Sequence, residues 1–126
     1  MDHELERAVS RALGVARACW ELAGDAVQDE HFTQALAETI AKSAGAGAAD
    51  IQAALNRLQG NLSVDLHQML YHASIDLQTI EGLAGLASTG NLTPKNGSHV
   101  AQAVIYTSQK VVEGLNNARQ RFGATS

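Results

Sequence analysis

Cysteine, proline and aromatic residues are scarce in this chain of 126 residues, and each shortage removes a class of structure. Cys19 is the only cysteine, so no intrachain disulfide can form and a disulfide-stapled scaffold is excluded. Pro94 is the only proline, so no proline ring interrupts a helix before it. Aromatics make up 4%, as Trp20, Phe32, Tyr71, Tyr106 and Phe122, and no segment alternates cleanly between polar and apolar residues. Alanine and leucine supply most of the apolar volume instead, which favours close-packed helices over a β-sandwich.

Other absences bound the function. No run of about 18 apolar residues exists to span a bilayer, and no helix carries a Lys/Arg-rich polar face for a membrane surface. Nine basic residues stand against 13 acidic ones, a net charge of −4 with neutral histidines. All of the excess lies in residues 1–60, because residues 61–126 hold as many bases as acids. No basic stripe is present to neutralise phosphates, so a nucleic-acid partner is not expected. Met1-Asp2-His3-Glu4 is acidic where a signal peptide would be basic and then apolar, so the expected location is cytoplasmic.

What is present is helical periodicity. Leu5, Val9, Ala12, Ala16, Cys19 and Ala23 recur at spacings of four and three, which predicts a first helix over about Asp2–Val27 with Asp2 as N-cap. On that face Cys19 reads as a small buried hydrophobe. Phe32, Leu36, Ile40, Ala44, Ile51, Leu55 and Leu58 keep one helical phase from Gln28 or Asp29 to Gly60. Gly45 and Gly47 sit in the middle, each costing about 1 kcal/mol relative to alanine. This leaves one long helix with a soft centre or, favoured by that cost, a break or kink at Gly45–Gly47 with Asp50 capping the second piece. Gly60-Asn61 marks a turn, and Ser63 caps a third helix that runs to about Ser88. Thr93-Pro94 fits an N-cap followed by proline at the first helical position, with Ser98 the alternative cap. The last helix then runs to about Arg121, leaving a frayed tail. Four helices of about 25 residues, each roughly 35–40 Å long, predict a single all-α domain over 1–126, a four-helix up-down antiparallel bundle.

The third helix is the unusual one. Leu66, Leu70, Ala73, Leu77, Ile80 and Ala84 line one side, while Val64, Tyr71, Ile75, Gly82 and Leu86 line the side roughly 180° away. A surface helix needs only one apolar stripe. Charge is also thin here: between Arg57 and Lys95 only Asp65, Asp76 and Glu81 are charged, and Ser98–Gln109 contains no charged residue. Charge depletion with retained Tyr, Ile and Val is the compositional mark of an interface core. The expected interface is therefore Val64, Tyr71, Ile75 and Leu86, joined by Ile105 and Tyr106 of the fourth helix. The expected partner is a second copy, another protein, or both. Gly82 and Gly85 make the third helix slim, which suits close packing against a neighbour. Alternatively they leave an apolar inter-helix pocket near Trp20 for a small ligand.

No catalytic constellation emerges. His72 and Asp76 lie one turn apart with Asp65 on the same flank, but the Glu-x-x-His spacing of di-iron bundles is missing, so no metal or other cofactor is expected. His67 and Ser74 are two turns apart on one helix, about 10 Å, too far for a nucleophile relay. Neither His67 nor His72 is followed by the lysine and glycine that accompany a phosphotransfer histidine. No phosphate loop, dinucleotide fingerprint or nucleophile elbow occurs. The sequence thus reads as a non-enzymatic cytoplasmic interaction module, an adaptor, chaperone or regulator. The alternative is a small-ligand sensor or carrier.

Overall fold

The computed structural model describes residues 3–28, 33–58, 60–89 and 93–125. It comprises four helices, α1 (His3–Gln28), α2 (Gln34–Arg57), α3 (Val64–Ser88) and α4 (Pro94–Thr125), with no strand among the described residues. Local chemistry sets several ends. The Thr33 hydroxyl accepts from Leu36 N–H at 3.1 Å and the Ser63 hydroxyl from Leu66 N–H at 3.2 Å. The Thr93 hydroxyl accepts from Asn96 N–H at 3.2 Å, so Thr93, not Ser98, starts the last helix. Gly60 turns the chain between α2 and α3 at φ +86°, a conformation glycine adopts without steric cost.

Each helix packs against its chain neighbours, and α1 packs against α4, which closes the ring of a four-helix bundle. Ion pairs report the antiparallel register. Glu4 and Arg11 near the start of α1 meet Arg57 and Asp50 near the end of α2, at 2.9 and 3.1 Å. Asp65 at the start of α3 meets Arg121 of α4 at 3.3 Å. Such exposed pairs contribute at most about 1 kcal/mol each, so apolar burial must hold the bundle together. Leu5, Leu13, Ile40, Ile51, Leu70, Leu77, Ile80 and Leu115 are fully buried, each contributing about 1.5–3 kcal/mol relative to exposure. No helix among the described residues is long and apolar enough to cross a membrane.

Three expectations need correction. First, α2 is one uninterrupted helix through Gly45–Gly47. Gly47 is buried where α1 and α3 converge: an added Cβ would lie 3.4 Å from Leu77 Cδ1 and 3.5 Å from Val15 Cγ1. The two glycines cost about 2 kcal/mol in helix propensity. Burial of Ile40, Ile51 and Leu55 on the same face outweighs that cost. Second, α2 starts at Gln34, not at Gln28, which ends α1; Asp29 and Phe32 lie outside the described residues, as does Asp2. Third, α4 continues past Arg121 to Thr125, so most of the expected frayed tail is helical.

Gly47 yields a test. Alanine there gains helix propensity and its methyl makes ordinary van der Waals contacts, so Gly47→Ala raises stability by up to about 1 kcal/mol. Gly47→Leu overfills the junction and lowers stability by about 1–3 kcal/mol. Urea unfolding midpoints check both; a strongly destabilised alanine variant would mean that the helices approach more closely than this geometry.

Candidate interaction surface

Turning Leu66, Leu70, Ala73, Leu77, Ile80 and Ala84 inward forces the opposite stripe of α3 outward, and these six are all buried. Val64 is 71% exposed, Tyr71 48%, Ile75 37% and Leu86 60%. Gln68, Thr79 and Gly82 are exposed on the same face, so it carries no charge from end to end. The flanks are polar and engaged. On the α2 side, Ser74 is buried and its hydroxyl donates to the Tyr71 carbonyl at 2.7 Å, while the Glu81 carboxylate lies against Gly45. On the α4 side, Asp65 holds Arg121, and the His72 ring meets Tyr71 edge-on at 6.2 Å between centroids.

The remaining expected interface residues separate. Tyr106 is 65% exposed on the outer face of α4, with Lys110 Nζ 5.8 Å from its ring centroid. Ile105 is half-buried and packs against the core, because it lies about 100° round the helix from Tyr106. The expected pocket is not assembled. Gly82 is exposed, Gly85 half-buried, and an added Cβ at either would meet nothing within 4 Å, so neither lines a closed cleft nor admits a neighbouring backbone. Trp20 instead sits in a shallow depression of about 450 Å³ formed with Arg17, Glu21, Gly24 and Asp25, all on α1.

One concavity is formed across two helices. A groove of about 400 Å³ between α1 and α2 is lined by Glu4, Arg7, Arg11, Asp50, Ala53 and Arg57 among others. The i,i+4 spacing of Arg7 and Arg11 was visible, but Asp50 and Arg57 arrive only through helix pairing. Two of its three guanidinium groups are engaged by Asp50 and Glu4.

Among the described residues no group of three or more His, Cys, Asp or Glu side chains is placed to hold a metal ion. Cys19 is fully buried, and burial pushes its thiol up from 9.0 to about 11, so it is protonated at neutral pH. The pH dependence follows. The unfolded chain releases this proton near 9 and the folded chain near 11, so between those values the folded state binds more protons and stability falls as pH rises. Cys19→Ala lacks that contribution. The difference in urea midpoint between the parent chain and the variant is therefore constant below 9 and changes between 9 and about 11; a constant difference throughout would contradict the buried thiol.

Comparison with known proteins returned no match: no family model, no curated protein and no solved structure is significantly similar to this chain.

Proposed function

We propose that this chain is a non-enzymatic protein-interaction module that works through the outer face of α3, with a second copy of itself as the partner. The observation carrying this reading is the row Val64, Tyr71, Ile75 and Leu86, large apolar side chains exposed on one uncharged helix face. An exposed apolar row of this kind, free of charge, has the composition of an interface core and not of a solvated surface. A reducing cytoplasmic setting suits the lone buried thiol. Nucleic acid and membrane are poor partners for a chain of net charge −4 with no basic face. The small-ligand reading has less behind it, since Trp20, Gly82 and Gly85 do not share a cavity.

Ile75→Asp tests the proposal. A carboxylate in the middle of a buried apolar contact must be desolvated without a partner, and a twofold axis imposes that cost on both copies. Association weakens on the order of 100-fold or more by sedimentation velocity. The far-ultraviolet circular dichroism stays unchanged because the side chain faces outward. A variant that sediments as the parent chain does would sink the proposal.

A further inference from the structure

Near its start α1 carries hydrogen-bond donors that the fold does not use. Arg7, Ser10 and Arg11 are all exposed, and their spacing of three and four residues puts them on one flank of the helix. Neighbouring Cβ atoms at that spacing lie about 5–6 Å apart. Among the described residues the Arg7 guanidinium and the Ser10 hydroxyl have no ion-pair or hydrogen-bond partner. Arg11 is held to Asp50 at 3.1 Å through Nε, which leaves both of its Nη groups unbonded among the described residues. The helix gains nothing from this arrangement. Cations one turn apart repel, and positive charge near a helix N-terminus opposes the macrodipole. Asp50 and Glu4 answer Arg11 and Arg57, while Arg7 is left without a bonded carboxylate.

Arg7 and Arg11 border two concavities of about 400 Å³ each. The groove between α1 and α2 also contains Glu4 and Asp50, so an anion there would meet two carboxylates. The second is a shallow hollow on α1 itself, lined by His3, Glu6, Arg7, Ser10 and Arg11. Its one carboxylate, Glu6, lies 3.8 Å from the His3 ring. The donors around this hollow select the ligand. A guanidinium is a planar fork that bonds two oxygens at once, and two such forks with a hydroxyl offer more donors than the two oxygens of a carboxylate accept. A phosphate monoester presents three terminal oxygens and a charge approaching −2 at neutral pH, which matches two guanidinium groups. The Nε bond from Asp50 fixes Arg11 from behind, as an orienting contact does in a built site.

We propose that Arg7, Ser10 and Arg11 form a binding site for the phosphate group of a small phosphate monoester, with Asp50 orienting Arg11. This site is independent of the outer face of α3 and of self-association. Titration followed by nitrogen-15 correlation spectra tests it, because arginine Nε–H groups and backbone amides are both observed. The probes are inorganic phosphate and methyl phosphate, with sodium chloride holding the ionic strength constant and acetate as the planar, singly charged comparison. Both phosphates give saturable shifts at Arg7 and Arg11 Nε–H and at the amides around Ser10, in the millimolar range because exposed ion pairs are individually weak. Acetate binds at least about tenfold more weakly. Arg7→Gln weakens phosphate binding at least about tenfold with an unchanged circular dichroism spectrum, since the side chain is exposed. Lys110→Gln, on the outer face of α4, leaves it unaltered. Shifts that never saturate, equal affinity for acetate, or full phosphate affinity in Arg7→Gln would each overturn the site. Saturation by inorganic phosphate but not by methyl phosphate would overturn the monoester assignment.

Discussion

Everything in this molecule depends on a constraint of rotation: a helix can turn only one side inward, and α3 has two apolar sides. Burial of Leu66, Leu70, Leu77 and Ile80 fixes the angle of the helix about its axis. Each of those side chains contributes about 1.5–3 kcal/mol relative to exposure, and the inner stripe adds Ala73 and Ala84, both buried, where the outer one has Gly82. Once the inner stripe is buried, Val64, Tyr71, Ile75 and Leu86 have nowhere to go but outward. The fold therefore creates the exposed face as a consequence of its own stability.

The packing of α2 follows the same logic. Alanines and Gly47 on its inner side let α1 and α3 approach, with Val15 and Leu77 converging on the glycine. Alanines on its outer side leave it low beside the taller residues of α3. The ion pairs at the ends, Glu4 with Arg57 and Asp65 with Arg121, are exposed and weak, and they record the register without imposing it. Cys19 belongs to this packing too: burial pushes its thiol up to about 11.

Much of this was legible in the sequence, because helical periodicity and capping chemistry are local. The core stripes of α1 and α3, the Ser63 and Thr93 caps and the turn at Gly60 all follow from residues within a few positions of each other. Distant residues decide the rest. Gly45–Gly47 looks like a break when only propensity is counted, and becomes a packing junction once α1 and α3 are in place. Ile105 looks like a surface partner of Tyr106 until the helix is rotated into its groove. Gly82 and Gly85 suggested close approach or a cleft, yet they lie toward the side of α3 that no other helix covers. The groove between Arg11 and Arg57 could not be read at all, since it exists only across two helices.

The proposed self-association requires a second copy to cover the outer side of α3. Light scattering coupled to size exclusion, run on the unmodified chain over a wide concentration range, addresses it most directly. Self-association gives twice the chain mass of 13.3 kDa, declining toward the single-chain value only on strong dilution. A mass of 13.3 kDa at every concentration would contradict it.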